Sequence, residues 1–572
     1  MTTVQEPTLA SPAAEIPLRE RPAGERAGRS GPLTWVATVT AALFLLPIVS
    51  VLLNLFRPSE GTWDHLVDTV LPGYVVNTLW LAVGVGLGVV LIGTCTAWLI
   101  TMCRFPGRRL FEWALILPLA VPAYVMAYTY TDFLQFAGPL QSLLREVTGW
   151  GPREYWFPQI RSLGGAMAML IMVLYPYVYL LARAAFLEQS VCALEVSRTL
   201  GCNAWASFWR VALPAARPAI AAGTALALME TLADYGTVAF FGVPTFTTGI
   251  IRAWSAFGDP VAAAQLSAGL LGFVFMILLL ERWSRGQARY HHTSNRYQTL
   301  PGYRLRGGRA VLAIAACLLP LTLGFLLPAG LLLAMAIEAG DAQLGPRYFR
   351  LVGNSFTLAS ITAVLAVAIA VVMAYAQRLN PSRLGALTNR LAGLGYAIPG
   401  TVIAVGVLIP TAAFDNSLDA WMRAQFGIST GLLLTGSIAA LVFAYLVRFL
   451  AVSLNTVEAS LAKVKPSMDD AARSLGRKPS GILARVHVPI IRGSLMTAGL
   501  IVLVDVMKEL PATLVMRPFN FDTLAVQAYN LASDERLTES STASLTIVLV
   551  GVLPLILLSR AVRRSRPGQG SR

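Results

Sequence analysis

Apolar runs of about membrane-spanning length, separated by shorter polar stretches, set the pattern of the chain. Twelve such runs fall at roughly 34–56, 77–102, 112–136, 163–186, 215–240, 260–281, 309–336, 354–377, 388–412, 431–453, 490–515 and 543–559. A bilayer-crossing helix needs about 20 mostly apolar residues. The pattern therefore predicts an all-α membrane protein of about twelve transmembrane helices. The first run exceeds a signal-peptide core and lacks a clear small-x-small cleavage site, so it reads as an uncleaved first span.

The runs repeat. Asn77-Thr-Leu-Trp-Leu-Ala matches Asn354-Ser-Phe-Thr-Leu-Ala, and Pro122-Ala-Tyr-Val-Met-Ala matches Pro399-Gly-Thr-Val-Ile-Ala, both 277 residues apart. Farther on, Glu195-Val196-Ser197, Gly201 and Val211-x-Leu213-Pro214 match Asp470-Ala471-Ala472, Gly476 and Val486-x-Val488-Pro489, now 275 apart. Two residues were lost or gained in between. Each half thus carries six spans in the same order, so the repeat is parallel, about an axis along the membrane normal. The expected divisions are a tail (1–32), a first membrane domain (33–281), a linker (282–308), a second membrane domain (309–560) and a tail (561–572).

Composition and charge agree with this reading. The chain is 56% hydrophobic and 13% charged, where soluble domains carry about 25% charged residues. With the N-terminus inside, 34 of the 45 Lys and Arg fall in or beside the inner segments, ten fall outside, and Lys508 lies within a span. That is the positive-inside distribution. It accounts for the net charge of +15 without nucleic-acid binding. It also puts both termini, the linker and both repeated loops in the cytoplasm. The linker reads as a solvated tether. The five cysteines form no C-x-x-C, and His291-His292 sits in that basic linker, where solvation is the ordinary outcome. No G-x-x-x-x-G-K-[ST] occurs, so the chain has no nucleotide-binding loop of its own and no cofactor is expected on it.

The paired loops resemble the "EAA" loops of bacterial ABC-importer permeases, with one loop in each half. Two departures stand out: Val196-Ser197 replaces Ala-Ala, and Asp470 replaces Glu. The resemblance implies a type I ABC importer permease of two fused domains, in the bacterial inner membrane. It also implies a homodimeric ABC ATPase, carrying ATP and Mg, that docks on the cytoplasmic side. The coupling residues it implies are Glu195, Gly201 and Pro214 in one half, with Asp470, Ala471, Ala472, Gly476 and Pro489 in the other. From the residues themselves, each loop suits a two-turn helix stopped by Gly201 or Gly476, then a second short helix running to the Pro that opens the next span.

Ionised groups inside a bilayer are costly and need a reason. Glu230 and Asp234 lie in the fifth run; Asp505, Lys508 and Glu509 lie in the eleventh. Glu230 pairs with Asp505 and Asp234 with Glu509 at the 275 offset, and each acid pair is spaced i,i+4, on one helix face. One reading is an acidic lining on a cation path between the halves. The other is that these acids brace the backbone where Gly236 and Pro511 break the helices, with Lys508 neutralising Asp505 or Glu509. Tyr128 and Tyr175 belong to tyrosine clusters that would suit either a cation path or an interfacial belt.

Beyond the loops, Glu230-Thr-Leu-Ala-Asp-Tyr-Gly-Thr-Val, Thr245-Phe-Thr-Thr-Gly-Ile-Ile-Arg-Ala-Trp254, Lys508-Glu-Leu-Pro-Ala-Thr-Leu514 and Arg517-Pro-Phe-Asn-Phe-Asp-Thr-Leu524 resemble the ferric-iron branch of importer permeases. That branch implies a periplasmic or lipid-anchored ferric-binding protein as donor. Permeation of thiamine, a polyamine or another small cation is the alternative, and a twelve-helix secondary transporter is a further one. A conduit must release its ion, so no tight metal site is expected.

Overall fold

A computed structural model describes residues 32–59, 62–151, 154–188, 201, 203–285, 303–340 and 344–564. The first half contains α1 (Pro32–Asn54), α2 (Leu71–Met102), α3 (Arg108–Ala114), α4 (Ala123–Leu134), α5 (Leu163–Glu188), α6 (Leu213–Ala233), α7 (Gly236–Phe240), α8 (Phe246–Ser255) and α9 (Pro260–Arg285). The second half contains α10 (Gly308–Ala339), which includes a π-helical turn, then α11 (Pro346–Leu379), α12 (Arg383–Ala392), α13 (Gly400–Phe426) and α14 (Ile438–Leu461). It closes with α15 (Pro466–Ser474), α16 (Val488–Met507), α17 (Pro511–Met516), α18 (Leu524–Ser533) and α19 (Leu537–Arg564).

Among the described residues, eleven helices are long and apolar enough to cross a membrane. The bent segment Arg108–Thr148 makes a twelfth if its two arms, 91° apart, count as one span. Four expected spans are not continuous. The third breaks at Val121-Pro122, where Val121 is extended and Pro122 caps the next helix; proline disfavours the α region in the residue before it. Its counterpart breaks in the same way at Ile398-Pro399. The fifth and eleventh runs, read as 215–240 and 490–515, stop at Ala233 and Met507 and restart as α7 and α17. Hydropathy alone does not show the breaks at Pro122 and Pro399, because the residues around them stay apolar; at the other two, Asp234 and Lys508-Glu509 interrupt the apolar run.

The halves hold each other crosswise. Helix α1 packs on α11, α12 and α13 of the second half as well as on α9 of its own. Helix α10 does the converse, packing on α2, α3 and α4 of the first half and on α19 of its own. The linker is more than a tether at its far end. Tyr303–Arg304 forms β2, parallel to β1 (Cys103–Arg104), and the Leu305 amide donates to the Arg104 carbonyl at 3.0 Å. The second half is thereby fastened to the loop after α2. Residues 286–302 lie outside the described residues.

Candidate translocation cavity and coupling loops

The two broken helices meet between the halves. After α6 the chain extends at Asp234, and its carboxylate turns onto the start of α7. It accepts the amides of Thr237 (3.1 Å) and Val238 (3.2 Å) and the Thr237 hydroxyl (2.9 Å). Glu509 does the same for α17, accepting the amides of Ala512 (2.9 Å) and Thr513 (3.0 Å) and the Thr513 hydroxyl (2.7 Å). Both acids satisfy amides that a helix start leaves without partners. These two of the four acids therefore brace the breaks.

The other two face a cavity of about 120 Å³ that the halves enclose. Its wall includes Tyr124, Tyr177, Glu230 and Asp234 from the first half, and Tyr396, Arg448, Asp505, Lys508 and Glu509 from the second. Lys508 Nζ lies 2.8 Å from Asp505 Oδ1, one turn away on the same helix. Glu509 is served by a different cation. Arg448, on α14, puts Nη1 3.4 Å from Glu509 Oε1 and Nη2 3.6 Å from Glu230 Oε2. One guanidinium thus bridges a carboxylate from each half, a geometry that its planar fork suits. The Tyr124 hydroxyl donates to the Lys508 carbonyl at 3.3 Å, tying α4 to the second break.

Arg448 is the residue that sequence reasoning passed over. It sits near the end of the 431–453 run, where it reads as one of the 34 basic residues in or beside the inner segments. Its counterpart at the 275 offset is Val173, so the repeat carries no signal for it. The tyrosines divide. Tyr128 is buried beside Tyr124 and Phe240, and its hydroxyl has no hydrogen-bond partner among the described residues. Tyr175 is fully buried and donates to the Leu115 carbonyl at 3.0 Å, locking α5 to the bend after α3; it is not part of the cavity wall.

The second repeated loop is described in full. Helix α15 ends at Ser474, and Gly476 follows with φ +75°. The first loop has Gly201 at φ +79°. Both sit in the left-handed region that glycine enters at little cost. A four-residue helix and a π-helical turn then lead to Leu213-Pro214 and to Val488-Pro489, where the next spans start. Glu195 lies outside the described residues. In the second loop, Asp470 is 74% exposed and pairs loosely with Arg473 (3.5 Å). Ala471 is exposed, while Ala472 is buried against the protein.

The acid that anchors α15 is its neighbour. Asp469 takes Arg378 of α11 at 2.9 Å and lies 2.6 Å from His487 Nε2. The same guanidinium donates to the carbonyls of Leu461 (2.6 Å) and Val464 (2.8 Å). This clamp holds α15 to the end of α11 and leaves Met468, Asp470 and Leu475 facing outward.

Similarity to known proteins matches this architecture. Residues 89–283 match the family described as binding-protein-dependent transport system inner membrane component. The chain is 27% identical to the Fe(3+)-transport system permease protein FbpB 2 of Haemophilus influenzae over 85% of this chain and 89% of that one. It is 22% identical to a probable ABC transporter permease, y4fN, of Sinorhizobium fredii over 86% and 88%. It is 29% identical to a probable sulfate transport system permease protein, cysT, of Chlorokybus atmophyticus over 37% of this chain and 76% of that one. With two six-span halves, each ending its fifth span at an acid-braced break, the chain is a multi-pass membrane protein similar along most of its length to permeases of ABC transport systems, and its first half matches the binding-protein-dependent inner membrane component.

Proposed function

We propose that the chain carries ferric iron inward, from a binding protein on the outer side to the cytoplasm, with a homodimeric ATPase as motor. The observation that carries the substrate is the charge of the central cavity. Four carboxylates against two cations leave two negative charges in excess. Such a wall attracts a cation and repels an oxyanion, which separates this chain from sulfate-type relatives. Glu230, Asp505 and the cavity tyrosines offer hard oxygen ligands, and Lys508 and Arg448 keep them from becoming a permanent cage. The likeness to a ferric permease along most of the chain supports the same cargo.

The motor acts from the basic side, which the positive-inside rule assigns to the cytoplasm. ATP, with Mg, binds on the ATPase alone. Closure of that dimer draws α15 and the corresponding first-half loop together and opens the cavity outward. Hydrolysis resets it. The outward face of α15, with Met468, Asp470 and Leu475, is the contact.

The test is uptake of radiolabelled iron by cells lacking the gene and complemented with it, at limiting iron. Restored iron uptake that depends on a co-purifying ATPase is the expected result. Rescue by thiamine or a polyamine, or restored sulfate uptake, overturns the cargo. Iron uptake that proceeds with no ATPase in the purified complex overturns the motor.

A further inference from the structure

A groove of about 600 Å³ lies on the outer wall of the first half, between α2, α6 and α9. Its wall is apolar, formed in part by Ala221, Ala225, Leu228 and Leu280. Two charges of opposite sign, Arg217 on α6 and Glu281 on α9, line it toward the basic side. Arg217 reaches across to α9, its Nε 3.5 Å from the Ser284 hydroxyl, so its guanidinium spans the groove between those helices. Two alanines, Ala221 and Ala225, leave room in its wall. At the 275 offset Ala221 and Ala225 correspond to Met496 and Leu500, while Arg217 corresponds to Arg492. The repeat thus keeps the cation in both halves and places small wall residues in one.

We propose that this groove is a binding site for one phospholipid with a zwitterionic, primary-ammonium head group, of the phosphatidylethanolamine kind. A groove of this size on a membrane-facing wall takes an acyl chain, and apolar walls favour a tail over water. The head group is chosen by charge. Its phosphate suits Arg217 and its ammonium suits Glu281, whereas an anionic glycerol head group meets the same carboxylate with nothing to offer it. The site has a consequence for coupling. Leu213 and Pro214 also border the groove, and they are the first residues of α6 after the repeated loop. A lipid wedged there stiffens the joint through which that loop moves its span. The placement in the inner leaflet rests on the orientation proposed above; lipid retention itself does not depend on cargo or motor.

The experiment is native mass spectrometry of the full-length permease released from nanodiscs of equal phosphatidylethanolamine and phosphatidylglycerol. One retained phosphatidylethanolamine, favoured several-fold over phosphatidylglycerol, is expected. Glu281→Gln should erase the preference while keeping a bound lipid. Arg217→Gln should lower retention of both. The double variant Ala221→Met, Ala225→Leu, which copies the second half, should lose the retained lipid. Equal retention of the two lipids by the unaltered protein, or retention untouched by Arg217→Gln, overturns the proposal. Because Arg217 is exposed and Glu281 only half-buried, their variants report even where the filled groove disturbs folding.

Discussion

Arg448 joins Glu230 of one half to Glu509 of the other, and its side chain is 9% exposed. Removing one partner of such a buried set strands the other charges, at a cost of about 3–5 kcal/mol. Arg448→Gln should therefore lower the thermal midpoint of the purified permease and abolish most uptake. Adding Glu509→Gln should recover much of the midpoint but not the uptake, because the bridge between halves stays broken. A double variant that transports normally would show that the bridge is structural only. Gly400 tests the same point from its backbone. A Cβ there would come within 2.6 Å of both Arg448 Nη1 and Glu509 Oε1. Gly400→Val should push the pair apart and reduce uptake, with a smaller loss of stability than Arg448→Gln, as thermal melts and proteoliposome flux would report. The acids were legible in the sequence because both repeats carry them. The arginine was not, because its repeat partner is an ordinary valine.

Helix α15 owes its stiffness to two devices. The left-handed Gly476 ends it, and Arg378 fastens it through Asp469 and two carbonyls. A β-branched residue at Gly476 would be strained by on the order of 1–3 kcal/mol. Gly476→Val, and Gly201→Val in the other loop, should leave ATP hydrolysis running while uptake falls. Coupled hydrolysis and uptake in both variants would refute the coupling role. Arg378→Ala removes several charge-assisted hydrogen bonds, each worth about 1.5–3 kcal/mol. It should loosen α15, seen as faster amide exchange over 466–474, and cut uptake with the chain still inserted. The glycines were readable in advance, since a stop after two helical turns needs a left-handed residue. Which of the adjacent acids Asp469 and Asp470 turns inward was not, because that depends on where α11 ends. The breaks at Asp234 and Lys508 were readable, from Gly236, Pro511 and the charges beside them; those at Val121-Pro122 and Ile398-Pro399 were not, since the chain stays apolar around both.

At the scale of the whole molecule, the exchange of first spans makes each half incomplete alone. Helix α1 covers apolar faces of α11, α12 and α13, and α10 covers those of α2, α3 and α4. The repeat predicts two six-span halves from sequence, but not this crossing, because α1 and α10 carry no contact signal in their uniformly apolar runs. In lipid, helices gain little from hiding apolar surface and associate through close packing and polar contacts. The crossing multiplies such contacts, and the bridge at Arg448 and the β1–β2 pairing add polar ones. The covalent linker is then redundant for assembly. Cells expressing 1–290 and 291–572 as separate chains should yield a stable complex that co-purifies on a tag carried by either half and supports uptake. Deleting residues 1–56 from the first piece should abolish co-purification, since α1 carries much of the grip on the second half. If the halves part with α1 present, or hold together equally well without it, then the linker or the cavity pairs, and not the exchanged helices, keep the permease in one piece.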